Sequence, residues 1–133
     1  MLHENIIVDH VCDHLSRLDW TVESRCHERQ RGDDIVAHRG PLRLRVEAKG
    51  EGSADPSSNR AGLAFSRGQV IDHVGKAFYR AAAIRDQGDQ AAMAFPDNAN
   101  HREAVSRITA SISDLGITVF WVDPAGTVTQ SNG

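Results

Sequence analysis

The chain has 133 residues, enough for one domain over 1–133 with a core of its own, and its 40% hydrophobic and 25% charged content is ordinary for a soluble globular protein. A formal net charge of −3 excludes a strongly basic nucleic-acid coat protein. No stretch is long and apolar enough to span a bilayer, the opening Met1-Leu-His-Glu-Asn lacks the basic and apolar regions of a signal peptide, and Cys12 and Cys26 are too few for a disulfide framework, so a reduced cytoplasmic setting without membrane contact is expected.

In chain order, Glu4 to Leu18 reads as an amphipathic helix, with Ile7, Val11, Leu15 and Leu18 at helical spacing. His10 and His14 on it have a spacing that can chelate zinc. No His-Glu-x-x-His pattern accompanies them, and Cys12 points to another side of the helix. Trp20 to Cys26 reads as a strand with Trp20, Val22 and Ser24 on one face. His27 to Gly32 is a polar loop.

Asp34 to Arg39 and Leu42 to Lys49 read as two strands joined by the turn signal Gly40-Pro41. In the second, Leu42, Leu44, Val46 and Ala48 alternate with Arg43, Arg45, Glu47 and Lys49, the pattern of a strand with one apolar face. A two-residue loop between Arg39 and Leu42 sets Asp34 directly opposite Glu47, with Lys49 on the same face. Strand alternation sends the Asp33 side chain to the other face.

Gly50 to Arg67 is a long irregular stretch leaving directly from this strand, in a position to cover substrate. Ser66 to Gln87 reads as a helix capped by Ser66, with Val70, Val74, Ala77, Phe78 and Ala81 as its apolar stripe. Gln69, His73, Lys76 and Arg80 share one polar face. Gln90 to Phe95 is a short apolar strand. His101 to Leu115 reads as one amphipathic helix stopped by Gly116, Ile117 to Val122 as a buried strand, and Thr127 to Thr129 as an edge strand.

Two carboxylates this close repel each other unless a cation lies between them. Hard oxygen ligands suit Mg²⁺ or Mn²⁺, and an ammonium two residues on can stabilise developing negative charge. Only Lys49 and Lys76 are lysines, against thirteen arginines among 15 Lys and Arg, which marks a lysine at the strand end as a chosen residue. Arg25 to Arg67 is locally rich in cations, and Arg29, Arg31, Arg43, Arg45, Arg67 and, on the helix, Lys76 are candidates for phosphate contacts, so nucleic acid is the expected partner.

The Asp34…Glu47-Ala48-Lys49 constellation resembles the signature of the PD-(D/E)XK nuclease superfamily, the restriction-endonuclease-like fold. Asp33 stands where that signature often has proline. The order helix, three strands, helix, strand, then a further helix and strand also resembles the superfamily's core. The resemblance implies an α/β fold with an αβββαβ core, a mixed central sheet flanked by helices and an additional C-terminal helix and strand. It implies a Mg²⁺- or Mn²⁺-dependent endonuclease, a hydrolase acting on DNA, with metal held by Asp34, Glu47 and the Ala48 carbonyl and with Lys49 near the attacking water. Glu4 on the first helix matches an acid that completes the metal site in some members. Gln69 and Lys76 match residues that face the site in others, Gln69 orienting the water. The alternatives are a non-catalytic nucleic-acid-binding or assembly subunit that keeps the fold, with a partner protein supplying specificity, and a Holliday-junction-resolvase-like homodimer.

Overall fold

A computed structural model describes residues 1–26, 32–52 and 63–131. Its elements are α1 (Glu4–Arg17), β1 (Thr21–Arg25), β2 (Ile35–Arg39), β3 (Leu42–Ala48), α2 (Arg67–Asp86), β4 (Gln90–Pro96), α3 (Ala99–Ser106), α4 (Thr109–Asp114), β5 (Thr118–Val122) and β6 (Val128–Ser131). The strands form one six-stranded mixed sheet in chain order, β1-β2-β3-β4-β5-β6. The first three pair antiparallel, β3, β4 and β5 run parallel, and β6 returns antiparallel on β5. Parallel neighbours need long crossovers, and these carry α2 between β3 and β4 and the α3–α4 pair between β4 and β5. The α/β class, the mixed sheet and its flanking helices are those expected from the sequence.

Each face of the sheet has its own core. On one, α1 packs Ile7, Val11 and Leu15 against Ile35, Val46, Ala94 and Phe120. On the other, α2 and the α3–α4 pair pack Val74, Ala81, Val105 and Ile112 against Met93, Phe95, Val119 and Trp121. β4 is buried on both sides, which is why Ala91 to Pro96 is apolar without alternation. Among the described residues no helix is long and apolar enough to cross a membrane.

The β2–β3 hairpin has the expected register, with Arg39 paired to Leu42 and Ile35 to Val46. Its turn works because Gly40 has φ +57° while Pro41 is fixed at negative φ, the sign pattern of a II′ turn, which suits the twist of paired strands.

Three local features depart from the sequence reading. β1 carries an irregularity between Val22 and Ser24, so the simple alternation through Trp20, Val22 and Ser24 is broken. The helix expected over His101–Leu115 is two helices. It begins earlier, because the Asn98 side chain caps it by accepting from the His101 amide at 2.9 Å. It breaks at Arg107–Ile108, where Thr109 Oγ1 donates to the carbonyls of Val105 and Ser106 and the β-branched pair Ile108-Thr109 resists helical packing. Finally, β2 begins at Ile35, leaving Asp33 and Asp34 just outside the strand.

His101 is fully buried under α3. Its Nδ1 lies 2.8 Å from Asn98 Oδ1, an acceptor, so Nδ1 carries the proton, and Nε2 has no hydrogen-bond partner among the described residues. Burial lowers its pKa to about 4, so the ring is neutral at pH 7.

Candidate active site

The even-numbered residues Leu44, Val46 and Ala48 of β3 are taken up by the α1 core, so Arg45, Glu47 and Lys49 face α2. Continuing the hairpin register one residue past Ile35 and Val46 sets Asp34 across from Glu47. Asp34 Oδ2 accepts from the Ala48 amide at 2.7 Å, which ties the carboxylate across the end of the hairpin. Two cations meet Glu47, with Lys49 Nζ 3.5 Å from Oε1 and Arg80 Nε 3.8 Å from Oε2.

Burial, and after it the charge of Glu47, push the Asp34 carboxyl up to about 7 against the pull of the Ala48 N–H, Lys49 and Arg80. Two hard-oxygen donors, one of them short of compensating charge, are a set that a divalent cation fits. Among the described residues no three His, Cys, Asp or Glu side chains gather in a group able to hold a metal, so Glu4 is not brought together with Asp34 and Glu47. The backbone of Glu4 is nevertheless close to the strand end. A Cβ on Gly50 would lie 2.5 Å from the Glu4 nitrogen, so a glycine there lets α1 begin directly against the residue after Lys49.

Asp33 does not point to the opposite face. Lying outside β2, it escapes strand alternation, and its carboxylate pairs with Arg45 Nε at 2.8 Å and Arg80 at 3.5 Å, both on the α2 side. Arg80 therefore bridges Asp33 and Glu47. This function of Asp33 was not read from the sequence, and the only signal for Arg80 was its place on the polar face of α2.

The candidate phosphate contacts fare unevenly. Arg45 is largely buried in a network with Asp33, Gln87 and Asp89, which corrects its reading as a surface contact. Arg43 pairs with Asp89 at 3.7 Å, and Arg67 pairs with Glu103 of α3. Arg25 pairs with Asp9, and Arg39 lies over the Trp20 ring, 4.4 Å from its centroid. These arginines largely neutralise acids or cover apolar surface. Arg29 and Arg31, with Arg60, lie outside the described residues, as does most of the loop that follows β3.

Gln69 has a different task from the one expected. It is the third residue of α2, and its Oε1 accepts from the Ser66 amide at 2.8 Å while Ser66 accepts from the Gln69 amide, a reciprocal capping box. Ser66 three residues before Gln69 was the signal for this.

Further along α2, Lys76, Tyr79 and Arg80 line a cleft of about 780 Å³ whose opposite wall carries Glu47 and Lys49. His73 stands on the same helix but does not line the cleft. Burial, and then Lys49 and Lys76, hold its pKa below the usual value, and its ring meets Phe65 edge-on. The suspected zinc pair serves packing. His14 contacts the Phe120 ring and Gln130, and Gly126 is a residue whose Cβ would collide with the His10 ring. Cys12 and Cys26 are not joined in a disulfide.

No protein-family model matches this chain, and no curated protein does. Among solved structures, Pyrococcus furiosus SfsA in complex with Ca²⁺ is similar at a TM-score of 0.40 and 14% sequence identity. The match covers 96% of this chain and 58% of that one, so the chain spans less than two thirds of the length of SfsA.

Proposed function

We propose that this chain is a metal-dependent nuclease that hydrolyses phosphodiester bonds, with DNA as the polymer and Mg²⁺ or Mn²⁺ as the ion. The observation that carries the reading is Asp34, just before β2, tied to the Ala48 amide and close enough to feel the charge of Glu47, with Lys49 beside Glu47 at the edge of a cleft. Asp34, Glu47 and the Ala48 carbonyl would hold the ion, leaving its remaining positions to water and substrate phosphate. When bound, a divalent ion lowers the pKa of its water and neutralises charge on the phosphoryl oxygens.

The chain's own residues supply orientation and charge. The Ala48 amide fixes the Asp34 carboxylate, and Asp33 steadies Arg80 beside Glu47. Lys49 holds the attacking water or meets the negative charge that develops on phosphate, as an ammonium does well in a partly desolvated site. Incubation with plasmid, linear, single-stranded and branched DNA, and with RNA, in Mg²⁺ or Mn²⁺ tests the reading. Cleavage that disappears on chelation and in Asp34→Asn is expected. Well-folded protein that cuts none of them overturns it.

A second reading, a binding-only subunit, draws on Glu47 being paired by Lys49 and Arg80 without any added ion. Calorimetry with Mn²⁺ separates the two. A nuclease binds the ion in a manner that Asp34→Asn removes, and a binding-only protein gives no Asp34-dependent heat.

A further inference from the structure

The helix wall of the cleft is made of two parallel rows one helical turn apart in spacing. Asp72, Lys76 and Arg80 form a charged row, and Arg80 reaches Glu47, so this row lies toward the carboxylates. Ile71, Gly75 and Tyr79 form the row beside it. Tyr79 is 76% exposed, while Trp20, Phe95, Phe120 and Trp121 are all buried in the core. Its ring also borders a second depression of about 290 Å³ beside Ala82 and Ala83, so there is open space on more than one side of it.

Among the described residues, and apart from its own stretch of helix backbone, Gly75 has no atom within 4 Å of where a Cβ would stand. Packing therefore does not demand glycine there, and mid-helix glycine is unfavourable relative to alanine. What its missing side chain does is keep the floor between Ile71 and Tyr79 open. A polynucleotide strand has the complementary layout, with phosphates along one edge and flat apolar bases along the other. Aromatic rings stack bases regardless of sequence, while lysines track the backbone.

We propose that Tyr79, above the floor left by Gly75, is a stacking platform for an unpaired base, with Lys76 and Lys49 holding the adjoining phosphates. The substrate class is then single-stranded DNA, or a strand with an unpaired nucleotide at the point of cleavage. A base inside a duplex cannot offer its face to Tyr79. The inference rests on the reading of this cleft as a phosphodiester site and narrows its substrate.

The test is equilibrium binding of fluorescent oligonucleotides without divalent metal, read by anisotropy. Wild type is expected to prefer a single strand over the blunt duplex of the same sequence, and a run of abasic sites should weaken single-strand binding about tenfold or more, the scale of one stacked base. In Tyr79→Ala the same abasic substitution should no longer matter, whereas Tyr79→Phe should retain the penalty. Gly75→Leu, at a position with room for a side chain, should fold and lose the single-strand preference. An abasic penalty that persists undiminished in Tyr79→Ala overturns the platform, as does a change in self-association, seen by sedimentation, in place of a change in DNA binding. Wild-type cleavage is scored separately. Cleavage with an abasic penalty that ignores Tyr79 removes the platform and keeps the nuclease. A Tyr79-dependent penalty without cleavage keeps the platform and removes the nuclease.

Discussion

Asp33 and Asp34 are adjacent in sequence, but the former pairs with arginines while the latter is half-buried, with its pKa pushed up to about 7. Asp34→Asn keeps an oxygen that can accept from the Ala48 amide and removes the charge. Loss of a metal carboxylate should lower cleavage by about 10²–10⁴-fold, since each 1.36 kcal/mol is about tenfold in rate. The same substitution should stabilise the metal-free fold at neutral pH. The folded pKa of Asp34, about 7, lies above its ordinary 3.8, so the folded chain holds this proton more tightly than the unfolded chain does. Its contribution therefore weakens as pH rises through that window. Thermal melts in EDTA and in Mn²⁺ check both halves, with Mn²⁺ raising the melting temperature of wild type but not of the variant. Asp33→Ala should act on the fold, costing about 1–2 kcal/mol by removing one arm of the network, with Arg45 left to Gln87 and Asp89 and Arg80 left to Glu47. A urea titration measures it. Lys49→Ala should cut the cleavage rate while Mn²⁺ affinity by calorimetry stays near wild type, and Lys49→Arg should restore only part of the rate, since guanidinium lacks the compact donor geometry.

At the scale of elements, Gln69 and Gly50 make the clearest tests. If Gln69 serves as the α2 cap, Gln69→Ala should cost about 0.5–1 kcal/mol in urea titrations and change the cleavage rate only severalfold, and Gln69→Glu should keep the cap. A hundredfold loss of rate without loss of stability would return Gln69 to the site. Gly50→Ala forces a methyl against the α1 backbone and should destabilise by about 1–3 kcal/mol, lowering the melting temperature. The elements themselves were legible where one local rule sufficed. Alternation over Leu42 to Ala48, together with Gly40-Pro41, gives both the strand and the register that pairs Ile35 with Val46 and Arg39 with Leu42. The break between α3 and α4 was hidden because Ala104, Val105, Ile108 and Ile112 keep helical spacing across it, while its cause is a single hydroxyl hydrogen bonding backward. Arg45 was legible in direction but not in role. Its partners Asp33, Gln87 and Asp89 come from separate segments, and only the fold brings them together. Tyr79 carries no such signal in the sequence, because a single aromatic on a helix belongs to no charge pattern or motif and only the fold shows that its ring is exposed beside the cleft.

At the scale of the molecule, a buried histidine and a half-buried carboxyl oppose each other in their response to acid. His101 has a folded pKa of about 4 against an ordinary 6.5, so the unfolded chain takes up its proton first, and stability rises with pH across that interval and is lost as pH falls through it. The size is up to about 3 kcal/mol by linkage at 1.36 kcal/mol per unit. Asp34 works in the reverse sense over an overlapping range. Urea midpoints in EDTA should therefore vary little with pH in wild type, rise with pH in Asp34→Asn and fall with pH in His101→Asn. Parallel curves for all three would contradict this account. The sheet order has a consequence for biosynthesis. Because every strand lies beside its predecessor in the chain, each finds its partner already made as it leaves the ribosome, and the hairpin carrying both carboxylates needs no later strand to set its register. The α1 face is the exception, since Phe120 and Val122 cover part of it. A nascent chain therefore holds its acidic pair early but keeps an oily surface open until β5 emerges, and this late closure makes a stretch with no part in the chemistry the gatekeeper of a soluble product.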